Sequence, residues 1–363
     1  MAWLEALILG LVQGVTEFLP ISSDGHLVVT QQAFAILTGT KRKGSEDLFF
    51  DLMLHLGTLA AIVVYYRAVV RTGAKGLLGS DTVAPEYRRG ALMRTAVLVG
   101  IATTPLVPLK LFFMRWIEST FESLTAAGVG FLITAAVLLS TFWLQRKDEG
   151  GKGPRETTWL DALLIGIAQM FAPLPGVSRS GLTVATALGL GLSRSWAVGF
   201  SLLIAFPAIV GGSFFAILKL MKLPNSTITG TRVGQIVSAA VLAGIVGYGA
   251  IIWLVKIVRS GRMWYFSVYL IVLGVAVIAA SLSQGVTADA KRENAADGAV
   301  RGGRVGAIAA PGGGSRRPER PLASPFGPGL RAAPGTDRAS GGGHVLTPGL
   351  VLGRPLAGRP RGT

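Results

Sequence analysis

Cysteine is absent from this 363-residue chain. That excludes disulfide staples and thiolate metal sites. Histidine is scarce, limited to His26, His55 and His344, so a site built from several imidazoles has too little to draw on. Acidic residues are few as well: 19 Asp and Glu stand against 35 Lys and Arg, a formal charge of +16. Charged residues of both signs reach 15% while hydrophobic residues make up 50%, and mean hydropathy is +0.55. A soluble domain of this size cannot hide that much apolar surface. No cleavable leader pattern is expected, because the first apolar stretch runs into Glu17, Pro20 and His26 rather than a small-residue cleavage site.

What the chain has in abundance is long apolar runs: Leu48–Tyr66, Ala91–Phe113, Leu124–Leu144, Trp196–Leu220, Val233–Val258 and Trp264–Leu282. Each approaches the ~20 residues that a membrane span needs. An all-α, polytopic membrane protein with about six full transmembrane helices is expected. The membrane domain ends near residue 284. Residues 285–363 are rich in Gly, Pro, Ala and Arg and hold twelve Lys/Arg against five Asp/Glu. Such a segment cannot bury enough surface to offset its ordering entropy and is expected to be a disordered basic tail. The remaining positive charge lies mostly in loops, where it sets topology rather than binding nucleic acid.

An internal duplication organises the membrane domain, with repeats over about 1–144 and 159–282. Trp3–Gly25 aligns with Trp159–Gly181 at a constant offset, with identical pairs Trp3/Trp159, Leu4/Leu160, Ala6/Ala162, Leu7/Leu163, Gly10/Gly166, Gln13/Gln169, Ser22/Ser178 and Gly25/Gly181. Each copy opens as a helix, breaks at a Pro/Gly/Ser cluster, and resumes as an apolar stretch too short to span, Leu27–Leu37 and Leu182–Leu192. Two re-entrant helix–loop–helix hairpins fit these lengths, with their irregular backbone buried in protein or lining a wet cavity. Basic residues in Arg67–Arg94, Arg146–Arg155 and Lys256–Arg262 assign those loops to the cytoplasm. The repeats then have inverted topology, with the N-terminus and the tail outside.

Polar residues inside a membrane domain are costly and mark function. The second break, Pro175-Gly-Val-Ser-Arg-Ser-Gly-Leu-Thr183, has the makings of a phosphate cradle. Gly176 and Gly181 allow the backbone to approach a ligand, a helix is expected from about Leu182, and Arg179 supplies a fork for two phosphate oxygens. The first break supplies Gln13, Glu17, Ser22, Ser23, Asp24 and His26. Ser23 and His26, three apart, share one helix face, so His26 either serves Ser23 as a general base or attacks phosphorus itself. Gln13 and Glu17, four apart, share a face too. Glu17, helped by Gln13, could share a divalent cation (Mg or Ca) with a diphosphate, because hard cations take oxygen ligands.

These two segments resemble the signatures of the undecaprenyl-diphosphate phosphatases, bacterial plasma-membrane enzymes linked to bacitracin resistance. One signature is Glu/Gln-x-x-x-Glu running into Pro-x-Ser-Ser-x-Gly-His, here Gln13 to His26; the other is Pro-Gly-x-Ser-Arg-Ser-x-x-Thr, here Pro175 to Thr183. The resemblance covers roughly residues 1–283. It implies hydrolysis of undecaprenyl diphosphate to the monophosphate, recycling the carrier lipid for peptidoglycan synthesis, at a site open to the outer face. It implies Glu17, Ser23, His26 and Arg179 as principal active-site residues and Ser22, Ser178, Ser180 and Thr183 as supporting ones. Gln13 is the less acidic variant at its position, and Asp24 puts a charge in a variable slot. The expected partners are a polyprenyl diphosphate lipid and the bilayer, with self-association into a homodimer left open. The competing class is a transporter or lipid flippase, because inverted repeats with broken helices also build carriers; a carrier, however, has no use for Ser23 beside His26.

Overall fold

The computed structural model describes residues 2–39, 44–79, 82–120, 123–144, 151–220 and 230–283. The basic tail lies outside the described residues. Within them the chain is α-helical without a strand, apart from one isolated bridge between Lys152 and Leu192.

Two broken hairpins occupy the expected places. The first comprises α1 (Trp3–Phe18) and α2 (Ser23–Thr38). Between them lie α3 (Gly44–Tyr65), α4 (Arg67–Leu77), α5 (Arg89–Thr103), α6 (Leu106–Thr120) and α7 (Leu124–Ser140). The second hairpin is α8 (Trp159–Gln169) and α9 (Arg179–Gly189), followed by α10 (Arg194–Leu220), α11 (Gly230–Arg259) and α12 (Tyr265–Ser283).

Among the described residues, four segments are long and apolar enough to cross a membrane: Arg89–Phe113, Arg194–Leu218, Gly230–Arg259 and Tyr265–Ser283. The bent pair α3 and α4 makes a fifth if counted as one span. The expected run Leu124–Leu144 is helical only to Ser140, and at 17 residues α7 is a shorter apolar helix. The run Ala91–Phe113 is interrupted at Thr104 and Pro105, where proline has no N–H to continue the ladder.

The duplication shows in how each hairpin is seated. Small residues let backbones approach where lipid gives no hydrophobic drive. Gly10 of α1 lies against the backbone of Ala239 in α11, and its counterpart Gly166 of α8 lies against that of Ala102 in α5. The second helix of each hairpin is capped identically: Ser22 Oγ accepts from Gly25 N–H at 3.3 Å, and Ser178 Oγ accepts from Gly181 N–H at 3.1 Å. These serine caps start α2 and α9 at Ser23 and Arg179. The second helix therefore begins three residues before the expected Leu182, because a serine side chain satisfies a first-turn amide that the apolar pattern does not reveal. The entry of α8 is fixed by a capping box between Thr158 and Asp161 and by Lys152 Nζ on Asp161 at 2.9 Å.

The hairpin tips meet at glycines. A Cβ on Gly25 would lie 2.7 Å from the Cα of Gly176. Gly176 itself adopts φ 84°, a left-handed conformation that a side chain resists. Thr134 of α7 clasps the second turn, donating to the Gly176 carbonyl at 2.9 Å and accepting from the Ser178 N–H at 3.0 Å.

Candidate active site

Because Ser23 and Arg179 occupy equivalent positions in the duplication, the meeting of the tips brings the first residues of α2 and α9 to one place. Glu17, near the end of α1, joins them. Arg179 Nη2 donates to Glu17 Oε1 at 2.6 Å, and Ser23 Oγ donates to Glu17 Oε2 at 2.7 Å. Gln13, one turn earlier on α1, donates from Nε2 to Glu17 Oε2 at 3.0 Å. Glu17 is 7% exposed, so its charge is held in a dry surrounding where pairing is obligatory. Arg179 also donates from Nη1 to the Ala205 carbonyl at 3.3 Å.

His26 is engaged elsewhere. Its Nδ1 is 2.7 Å from the Ser22 carbonyl and its Nε2 is 2.7 Å from the hydroxyl of Tyr269 on α12. The ring also meets Phe131 edge-on, with centroids 5.0 Å apart. The group in hydrogen-bond contact with Ser23 is thus Glu17, not His26. Ser22, which carries the carbonyl that holds His26, has φ 70°. A non-glycine residue in that region is strained, and such strain gathers at functional sites.

The remaining residues of the second signature form the wall behind the site. Ser178 and Ser180 hydroxyls lie 3.2 Å apart, Ser180 donates to the Leu19 carbonyl at 3.1 Å, and Thr183 and Ser201 share a hydrogen bond of 2.7 Å. All four are buried. Their hydroxyls tie the two hairpins and α10 together. Gly181 lies inside α9, close beneath Ser178.

Two side chains near the site carried no readable signal. His55 on α3 is anchored by Nδ1 to the Asp51 carbonyl at 2.8 Å and presents Nε2 to Glu17 at 3.8 Å and Asp24 at 3.9 Å. It stands in an ordinary apolar helix, and its scarcity as one of three histidines was the available hint. Tyr269 lies 243 residues from His26 along the chain, and nothing local marks it among six tyrosines.

The donor set bears on a cation. Gln13 Oε1 is buried without a hydrogen-bond partner, and the same amide reaches the Glu17 carboxylate through Nε2. Both are hard oxygen donors, which suits Mg or Ca. Among the described residues no group of three or more His, Asp or Glu side chains is gathered to hold an ion, so a cation here would take most of its ligands from phosphate and water.

The family model for bacitracin resistance protein BacA matches residues 6–276. The chain is 35% identical over 275 residues to an undecaprenyl-diphosphatase of Carboxydothermus hydrogenoformans, covering 76% of this chain and 95% of that protein. It is 35% identical over 289 residues to that of Desulfatibacillum aliphaticivorans, covering 77% and 99%. With that of Korarchaeum cryptofilum identity is 38% over 284 residues, covering 76% and 97%. All three relatives carry the name of an enzyme, not of a carrier.

Proposed function

The chain belongs to the BacA bacitracin-resistance family, and from that premise we propose that it hydrolyses undecaprenyl diphosphate to undecaprenyl phosphate and phosphate. The observation that carries this reading is the chain of contacts Arg179–Glu17–Ser23, in which a hydroxyl, a carboxylate and a guanidinium converge at the meeting of two hairpin tips.

The chemistry follows from those contacts. Ser23 Oγ attacks the terminal phosphorus while its proton passes to Glu17 Oε2. An Oγ–P bond forms, the bridging P–O bond breaks, and undecaprenyl phosphate leaves. Water then attacks the phosphoserine, the P–Oγ bond breaks, Glu17 returns its proton to Ser23 Oγ, and phosphate leaves with the oxygen and hydrogens of the water. Arg179 serves two masters. At rest its guanidinium neutralises Glu17; an incoming diphosphate draws the fork to its own oxygens and frees Glu17 Oε1. His26 is assigned to proton handling at Nε2, and the wall of Ser178, Ser180, Gly181 and Thr183 to holding the cradle in shape, with Gly176 at its apex. A divalent cation, if bound, would be held by Glu17 and Gln13 and would neutralise phosphate charge.

The enzyme sits in the plasma membrane, and the active site is proposed to open outward, with the basic loops in the cytoplasm. Phosphate release from undecaprenyl diphosphate by the purified protein in detergent is the test. Arg179→Lys keeps the charge but not the two-pronged grip, and turnover should fall about 100-fold. A wild-type protein that releases no phosphate ends this reading; a lysine variant with normal turnover ends the role given to Arg179.

A further inference from the structure

The chain turns at Tyr66, where α4 departs from the axis of α3 by 66°. α4 is short, 11 residues, and its side chains sort into three rows. Arg67, Arg71 and Lys75 recur every four residues and are exposed, forming one basic stripe. Val70 and Leu77, seven residues apart, are 57% and 48% exposed and form an apolar edge beside it. Gly73 and Gly76 form the third row and are buried, Gly73 against Leu92 and Gly76 against the Tyr87 backbone and Val83. Arg88 and Arg89, both exposed, extend the positive field where the chain returns to α5. Among the described residues no acidic side chain pairs with Arg71, Lys75, Arg88 or Arg89.

A helix docked on its own protein by two glycines has no structural need for an exposed valine and leucine edge beside unpaired cations. At the boundary between acyl chains and headgroups both rows find a partner. The apolar edge enters the acyl region and the long basic side chains reach the phosphates. The position suits this, because α4 begins where the apolar helix α3 ends. A loop selected only for topology needs the charges, but not their alignment with an exposed apolar row. We propose that α4, with Arg88 and Arg89, is an interfacial anchor that binds anionic phospholipid on the side of the basic loops. It pins the C-terminal end of α3, and it does so independently of the phosphatase chemistry.

The absence of native cysteine makes a spin-label test direct. Full-length Leu77→Cys and Lys75→Cys would each be labelled with a nitroxide in nanodiscs of equal parts phosphatidylcholine and phosphatidylglycerol. The label at 77 should be accessible to oxygen and shielded from an aqueous nickel reagent; the label at 75 should show the reverse. Native mass spectrometry of wild type and of Arg67→Gln/Arg71→Gln/Lys75→Gln would count retained lipid. Wild type should retain phosphatidylglycerol over phosphatidylcholine, and the triple variant should lose that preference by roughly 5-fold per side chain. Nickel access at 77 equal to that at 75 would overturn the proposal, as would unchanged lipid preference in the triple variant. A label at 77 shielded from both reagents would indicate a protein partner and overturn it equally.

Discussion

The hydroxyl of Tyr269 lies 2.7 Å from Nε2 of His26, with the two rings nearly parallel at 13°. The other nitrogen, Nδ1, faces the Ser22 carbonyl. A carbonyl can only accept, so Nδ1 carries the hydrogen, Nε2 of the neutral ring accepts, and the phenol donates. The imidazole is held at both ends, in one tautomer, with its free lone pair committed to Tyr269. Any proton that His26 takes up must arrive at Nε2, after the phenol O–H has turned from donor to acceptor. Tyr269 is 45% exposed, which leaves its hydroxyl free to turn.

Tyr269→Phe keeps the stacked ring and removes the hydroxyl. Loss of one neutral hydrogen bond corresponds to about 3- to 10-fold. That loss should fall on kcat with KM nearly unchanged, read in steady-state phosphate release. A variant with wild-type kcat would show that the phenol merely packs against His26.

The contact between Ser23 and Glu17 makes a sharper demand. Residues that act as one catalytic unit give strongly non-additive losses. Ser23→Ala and Glu17→Gln should each cost several orders of magnitude in kcat, and the double variant should be little worse than the poorer single. Ser23→Ala combined with His26→Ala should come closer to the product of the two losses, because those side chains do not share a hydrogen bond. If the His26 pair were instead the non-additive one, the proton of Ser23 would pass to the imidazole and the roles proposed for Glu17 and His26 would be exchanged.

The two breaks were readable because proline, glycine and serine punctuate an otherwise apolar pattern, and the matched identities from Trp3/Trp159 to Gly25/Gly181 tied them together. The Ser178 cap hid the true start of α9 by three residues, so Arg179 looked like a loop residue when it is the first residue of α9. The hydrogen bond from Ser23 to Glu17 was hidden for a related reason. Spacing along α2 pointed to His26, but Glu17 folds back across the break from the preceding helix, and no periodicity within one helix reports a contact across a turn. Thr134, His55 and Tyr269 reach the site or its wall from α7, α3 and α12, and their approach depends on how helices distant in sequence pack. The bend at Tyr66 was equally silent, because Leu48–Tyr66 reads as one predominantly apolar run with no proline in it.

Cation removal tests the donor set of Gln13 and Glu17. Turnover in excess chelator should collapse and return on adding Mg or Ca. Gln13→Leu, which deletes the buried oxygen that has no partner, should raise the concentration of cation needed for half-maximal rate. Full activity in chelator would leave Gln13 as a prop for the Glu17 carboxylate, with Arg179 and the helix starts neutralising the phosphate unaided.

The contact of Gly25 with Gly176 carries the last prediction, and it separates the geometry of the site from its chemistry. Neither glycine bears a reacting atom, yet their closeness lets Ser23 and Arg179 reach the same carboxylate. A methyl group at Gly25 would sit 2.7 Å from both the Cα and the backbone nitrogen of Gly176, and 2.7 Å from the Phe131 ring. A ring can tilt, but backbone cannot step aside without moving the turn, and that turn is clasped by Thr134. Gly25→Ala should therefore destabilise the protein by about 1–3 kcal/mol. It should also lower kcat by pushing the hairpin tips apart and lengthening the Arg179–Glu17 contact. Gly249→Ala on α11 is the matched control, because a methyl there meets nothing within 4 Å. It should leave turnover unchanged and stability equal or slightly higher, since alanine is the better helix former. Thermal unfolding in detergent and phosphate release on the same preparations would read both effects. If Gly25→Ala unfolds and turns over as the control does, the tips are not held by this glycine contact, and another feature must account for the meeting of α2 and α9.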